Sequence, residues 1–183
     1  MKITETNIPG VLVIEPDVFG DERGYFFESF SARKFEALTG LKVDFVQDNE
    51  SLSSYGIVRG LHFQKPPYAQ SKLVRVVKGR VRDVAVDLRE GSPTFGQHFS
   101  MELSGDNHLQ VFIPKGFAHG FSVLEDGTVF QYKCDEYYNP ESEGALAWDD
   151  PDLAIDWGIP MSDVKLSEKD RHHPALKDIH SLL

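Results

Sequence analysis

The chain has a single cysteine, Cys134, in 183 residues, so it can form no internal disulfide, and a reducing cytoplasm is its expected compartment. Long apolar runs are missing too. None approaches the roughly 20 residues of a membrane-spanning helix, so no membrane partner is expected. The opening MKITETNIPG has no basic stretch followed by an apolar one, which argues against a secretory signal. Basic charge is in deficit: 19 Lys and Arg face 29 Asp and Glu, for a net charge of −10. A nucleic-acid-binding face needs the opposite balance, so no nucleic-acid partner is expected, although a few local cations can still hold a small anion. Repeats, linkers and low-complexity tracts are absent. The length suits one domain, residues 1–183, able to bury a core without staples.

What the chain has is aromatic residues and turn formers: 13 Phe, six Tyr and 15 Gly, a balance that favours strands over a helix bundle. Short runs alternate apolar and polar residues between Gly, Pro, Asn and Asp. They are VLVIE (Val11–Glu15), YFFESF (Tyr25–Phe30), KVDFVQDN, IVRGLHFQ, KLVRVVKG, RVRDVAVDLR, FGQHFSMEL, LQVFIP, FSVLE and TVFQYKC. Turns are predicted at Phe19-Gly20-Asp21, and hairpin turns at Lys78-Gly79-Arg80 and Glu125-Asp126-Gly127. One helix is predicted within Ser31–Gly40: Ser31 can cap its start, Phe35 and Leu38 form a short apolar stripe, and Gly40 suits its end. From Asn139 the chain turns richer in Pro, Asp and Ser and carries Trp148 and Trp157, so it is expected to wrap the strands in irregular form. Many short strands with few helices mean a sandwich or closed barrel.

The segment RGLHFQKPPYAQSKLVRV sets Arg59, His62, Lys72 and Arg75 among residues that otherwise read as buried. Burying polar groups is costly unless they are partnered. An interior bearing His62, Lys72, His119 and Tyr132 therefore points to a site, and barrel mouths commonly hold ligands. Arg59 and His62 are three apart, which on a regular strand puts them on opposite faces. If both serve one pocket, a bulge at Gly60 must reset the register.

The stretch IPKGFAHGF (Ile113–Phe121) carries Pro114, Gly116 and His119 in a Pro-x-Gly-x-x-His pattern that resembles the second motif of the cupin superfamily. The first cupin motif normally offers a His-x-His pair. Here it reads His62-Phe63-Gln64, and no glutamate follows before Gly79. Transition metals want three or four N, O or S ligands, so no metal site and no cofactor are expected.

Seven ordered segments together resemble the dTDP-4-dehydrorhamnose 3,5-epimerase family of metal-free cupins. They are VFGDERGYFFESF, FVQDN, RGLHFQ, KLVR, PTFGQ, IPKGFAHGF and LSEKD, and the likeness spans nearly the whole chain. The resemblance implies an all-β fold, a cupin-type double-stranded β-helix (jelly-roll) barrel with a few short helices. It implies a dTDP-4-keto-6-deoxy-sugar substrate whose C3 and C5 hydrogens, both alpha to the C4 ketone, are removed and returned from the opposite face. By the matching motifs, His62 is the base, Asp170 its partner, Tyr132 the acid, and Lys72 the cation at the C4 oxygen. A neutral imidazole can accept a proton at neutral pH, whereas a phenol starts protonated. Arg23 and Arg59 match positions at the diphosphate. Glu28, Gln47, Asp48 and Asn49 match positions at the thymidine end or sugar, and Lys72, His119, Glu143 and Lys169 match further substrate contacts. Tyr138 matches an aromatic that stacks on thymine, and Phe26 a lining residue. The family forms homodimers in which N-terminal segments complete the partner's site. His98, His108, His172, His173 and His180 match no role. Two positions depart from the usual pattern: Ser71 stands where a glycine precedes the lysine of KLVR, and Glu50 where a histidine follows QDN.

An enzyme inverting a single carbon, or a ketoisomerase on a related sugar, fits much of the same pattern. A metal-dependent oxygenase lacks its His-x-His pair, and a non-catalytic binding module has no use for a His62–Asp170 pair opposite Tyr132.

Overall fold

The computed structural model describes residues 1–181, with side chains through Ile179, so the side chain of His180 lies outside the described residues. The described residues are all-β apart from one short α-helix and short 3₁₀-helical segments. Its elements run β1 (Lys2–Glu5), β2 (Leu12–Glu15), β3 (Val18–Asp21), β4 (Gly24–Phe27), α1 (Ala32–Thr39), β5 (Gln47–Ser53), β6 (Val58–Gln64) and β7 (Lys72–Lys78). There follow β8 (Arg80–Asp87), β9 (His98–Ser104), β10 (Gln110–Ile113), β11 (Phe117–Val123), β12 (Thr128–Cys134) and β13 (Glu143–Ala145). Two antiparallel sheets result. One has six strands in the order β1-β2-β10-β7-β12-β5, the other five in the order β13-β6-β11-β8-β9, and β3 and β4 form a separate hairpin.

The alternation along each strand builds three apolar layers. Val74 and Val76 of β7, Val111 and Ile113 of β10 and Phe130 of β12 meet Val81 and Ala85 of β8 and Phe117, Phe121 and Val123 of β11 between the sheets. The outer face of the five-stranded sheet carries Val58, Leu61, Phe63, Val84, Val86 and Ala118. The tail covers it with Leu146, Leu153, Trp157 and Ile179. Over the six-stranded sheet, Phe35 of α1 caps Leu12, Ile14, Leu73 and Phe112. The helix starts at Ser31, whose side chain accepts from the Lys34 amide, and ends at Gly40 in the left-handed conformation, φ 72°. Leu38, expected in its apolar stripe, is exposed.

Three expected turns differ from the structure. Phe19, Gly20 and Asp21 lie in β3, and the hairpin reverses at Glu22-Arg23. Lys78-Gly79-Arg80 and Glu125-Asp126-Gly127 are not hairpin turns but corners, since β7 and β12 belong to the six-stranded sheet and β8 and β11 to the other. Alternation has period two whether the next strand pairs with its predecessor or crosses to the facing sheet, so the pattern alone does not separate the cases. Thr128 joins the two corners: its hydroxyl accepts from the Arg80 amide at 3.1 Å and donates to the Glu125 carbonyl at 2.7 Å.

The β3–β4 hairpin is anchored at its base. His108 sits against Tyr25 and Phe27, with ring centroids 4.6 and 5.0 Å away, and the Arg75 guanidinium lies 5.6 Å from the Phe27 centroid. Its tip projects into solvent.

Candidate active site

Gly60 decides which side chains of β6 face inward. His62 pairs with His119 of β11, and Arg59 pairs with Phe121, so three steps on β6 match two on β11. This is the expected bulge. Gly60 has φ 115°, and a Cβ there would lie 2.7 Å from both Gly120 Cα and the His119 carbonyl. Only glycine fits that crossing. The extra residue lets Val58 and Leu61 both point outward while Arg59 and His62 both point in.

They enter a cavity of ≈ 690 Å³ between the sheets. From the five-stranded sheet come Arg59, His62 and His119, and from the six-stranded sheet Asn49, Ser51, Lys72 and Tyr132. The tail adds Lys169 and Asp170. His62 and Tyr132 therefore rise from opposite walls.

His62 is a third exposed, and its Nε2 lies 2.7 Å from Oδ1 of Asp170, which is buried. The Asp170 amide is held by Ser167 Oγ at 3.1 Å, at the start of a 3₁₀ turn over Asp170–His172. Burial pushes the Asp170 carboxyl up, but the hydrogen bond and charge of His62, with Ser167 and His173, outweigh it and hold it below its ordinary value. An ionised carboxylate on Nε2 fixes the Nε2–H tautomer and leaves Nδ1 free to accept a proton.

On the opposite wall, burial raises the Tyr132 phenol, which stays protonated at neutral pH and can donate. Lys72 Nζ lies 5.7 Å from the Tyr132 ring centroid. Burial lowers its ammonium, against the pull of Cys134, Asp83 and Glu143. Ser71, buried beside Lys72, donates its amide to Asp135 Oδ1 at 2.6 Å. His119 has its own carboxylate partner: Nε2 lies 2.7 Å from Oδ1 of Asp83, and both are buried. Asp83 was not among the expected residues, yet it faces inward on β8 and orients His119.

At the rim, Glu143 Oε2 accepts from the Tyr138 hydroxyl at 3.0 Å and from Lys169 Nζ at 2.6 Å. Gln47 bonds Asn49 through its side chain and the Tyr138 amide through Oε1. Arg59 donates to Ser53 Oγ from two of its nitrogens.

Gln47 and Glu143 do not line the cavity but bond Asn49 and Lys169, which do, and Tyr138 bonds both; four further expected residues lie away from it. Asp48 alternates to the opposite face of β5 from Gln47 and Asn49 and holds Lys133 Nζ at 2.9 Å. Arg23 and Phe26 lie on the projecting hairpin, and Glu28, just beyond it, pairs with Lys34 Nζ at 2.9 Å. A histidine without an expected role also reaches the site. His173 packs edge-on against His62, ring centroids 5.5 Å apart, and burial, then the charge of His62, lowers its imidazole.

Residues 5–178 match the family model described as dTDP-4-dehydrorhamnose 3,5-epimerase. The chain is 53% identical over 179 residues to the Pseudomonas aeruginosa dTDP-4-dehydrorhamnose 3,5-epimerase, covering 97% of each. The crystal structure of that enzyme from Elizabethkingia anophelis is similar with a TM-score of 0.93 and 58% identity, over 97% of both chains. The dTDP-6-deoxy-D-glucose-3,5-epimerase of Legionella pneumophila, solved in complex with dTDP-4-keto-L-rhamnose, is similar with a TM-score of 0.94 and 51% identity, over 98% of this chain and 95% of that one.

Proposed function

The chain belongs to the dTDP-4-dehydrorhamnose 3,5-epimerase family, and from that membership we propose that it inverts C3 and C5 of dTDP-4-dehydro-6-deoxy-D-glucose. The product is dTDP-4-dehydro-L-rhamnose, on the way to dTDP-L-rhamnose, which makes the chain an isomerase. The observation that carries this reading is the placement of His62 and Tyr132 on opposite walls of one cavity. Inversion needs a base on one face of the sugar and an acid on the other.

His62, held by Asp170, takes the proton alpha to the C4 ketone, and charge moves onto the C4 oxygen. Lys72 stabilises that oxygen, a contribution of roughly 3–4 kcal/mol for a well-placed donor. Tyr132 returns a proton from the other face. The same three groups serve C3 and C5, because both carbons flank one ketone. No cofactor enters this reading.

The remaining residues serve the nucleotide. Arg59 takes the diphosphate, for which a guanidinium fork is well shaped. Gln47, Asn49, His119, Glu143 and Lys169 hold the sugar and thymidine, with Tyr138 stacked on the base. A homodimer accounts for the rest. The hairpin that carries Arg23 and Phe26 presents Phe19 and Tyr25 to solvent, and docked on a second copy it brings Arg23, Phe26 and Glu28 to the partner's cavity. The two facing sheets fit a cupin-type jelly-roll barrel, one domain from end to end. Buried Cys134 suits a reducing cytoplasm.

Incubation with dTDP-4-dehydro-6-deoxy-D-glucose in D2O, followed by NMR, tests the reading. Deuterium at both C3 and C5 of dTDP-4-dehydro-L-rhamnose is expected. Label at one carbon alone identifies a single-centre epimerase, and no label contradicts the proposal.

A further inference from the structure

His173 is a buried imidazole without an obvious purpose. Its side chain is 8% exposed, and neither ring nitrogen has a hydrogen-bond partner among the described residues. The main chain of Leu146 lies nearby without forming a well-aligned bond. Leaving a buried polar group unpaired costs about 1–3 kcal/mol, so an unpaired buried imidazole points to something that partners it. Its nearest charged neighbour is Asp170: His173 Nε2 is 3.8 Å from Asp170 Oδ1, which is itself 2.7 Å from His62 Nε2. The donor atoms of the three residues all lie within 4.8 Å of one another.

We propose that His62, Asp170 and His173 form a three-donor site for one zinc-class divalent ion, and that the ion, by taking His62 Nε2, switches the base off.

The local backbone brings the donors together. Asp170 opens a 3₁₀ turn and His173, three positions on, caps its end, which brings the two side chains to one side of the turn. Glu-x-x-His pairs on helices present metal ligands by the same spacing. His62 supplies the third donor from β6. Zinc–nitrogen and zinc–oxygen bonds of about 2.0–2.2 Å set tetrahedral donors about 3.3 Å apart. The distances of 2.7 and 3.8 Å straddle that value. The third pair of donors, on His62 and His173, lies within 4.8 Å, so the set closes by drawing the two imidazoles together around the carboxylate. Two imidazoles and one carboxylate select zinc, cobalt, nickel or copper over magnesium or calcium.

Binding and the dyad exclude each other. In the dyad Nε2 carries the hydrogen and Nδ1 the free lone pair. With an ion on Nε2 the hydrogen resides on Nδ1, the imidazole stays neutral, and no lone pair remains to accept a proton from the sugar. The binding half of this inference stands on geometry alone, while the inhibition rests on the epimerase reading.

The test uses the full chain stripped with a chelator and titrated with ZnCl2 by calorimetry, with CoCl2 as a spectroscopic probe. One zinc per chain is expected, along with the visible bands of four-coordinate cobalt. His173→Gln should weaken zinc binding by at least about tenfold, a lower bound for losing a ligand. His172→Gln, exposed on the same turn, should bind zinc as the wild type does. Zinc should inhibit epimerisation, and the His173→Gln variant should need at least about tenfold more for the same inhibition. Absence of saturable zinc binding, or equal affinity in His173→Gln and wild type, overturns the site. A stripped chain that epimerises but binds no zinc loses the site and keeps the epimerase reading. One that binds zinc yet exchanges no solvent deuterium loses the epimerase reading and keeps the site.

Discussion

His62 and Asp170 stand 108 residues apart in sequence and 2.7 Å apart in space, one on β6 and the other on a 3₁₀ turn of the tail. On the proposed reading, the tail thus supplies the carboxylate partner of the base His62. In that reading Asp170 acts through His62. Asp170→Asn should therefore lower kcat by about 10²–10⁴-fold and move KM little, read by steady-state kinetics. A fall in kcat below tenfold would mean that the carboxylate does not set the imidazole.

Lys72 tests the oxyanion side of the same chemistry. Lys72→Gln keeps a hydrogen-bond donor but removes the charge, and kcat should fall by roughly 10²–10³-fold. Its ammonium is lowered by burial, so loss of activity at alkaline pH should begin below the usual lysine range. A pH–rate profile of the wild type checks the direction.

Stability in acid has a separate source at the end of β8. Asp87 is fully buried and accepts from Arg89, Ser92 and Thr94 at 2.6–2.9 Å. Burial pushes its carboxyl up, but these bonds outweigh it and bring the pKa from 3.8 down to about 2. A depressed value in the folded state stabilises above the unfolded value and is lost as pH falls through the folded one. Asp87 should thus contribute about 2 kcal/mol above pH 4, fading toward pH 2. Denaturant melts of wild type and Asp87→Asn should differ near neutrality and converge near pH 2.

Legibility from sequence followed the range of the interactions. The α1 helix was readable because its signals are local, Ser31 at one end and Gly40 at the other. The bulge at Gly60 was readable because two inward residues three apart leave no alternative. Strand-to-sheet assignment was not readable: Lys78-Gly79-Arg80 looks like a hairpin turn although the chain there changes sheet. The outward turn of the Asp48 side chain was not readable from the resemblance, which matches Gln47, Asp48 and Asn49 alike, whereas alternation sends the middle member to the other face. Asp83 and His173 were missed for different reasons. Asp83 reads as a polar residue on an ordinary strand, and His173 sits in an irregular tail without periodicity. The one available signal was the i, i+3 spacing of Asp170 and His173.

The bulge yields a stability prediction. An alanine at position 60 places its Cβ 2.7 Å from the Gly120 backbone at a φ of 115°. Non-glycine residues pay about 1–2 kcal/mol for left-handed backbone before any clash is counted. For a chain of this size each kcal/mol lowers Tm by about 2–4 °C. Gly60→Ala should therefore drop Tm by at least about 2 °C, measured by calorimetry. An unchanged Tm would show that β6 can shed the bulge.

The opposed placement of His62 and Tyr132 is tested most directly by Tyr132→Phe with dTDP-4-dehydro-6-deoxy-D-glucose in D2O. NMR should show deuterium entering at the carbons beside the ketone with their configuration retained, because His62 still removes a proton and returns label to the same face. A Tyr132→Phe enzyme that still inverts those carbons at the wild-type rate would contradict the assignment of acid and base to facing walls.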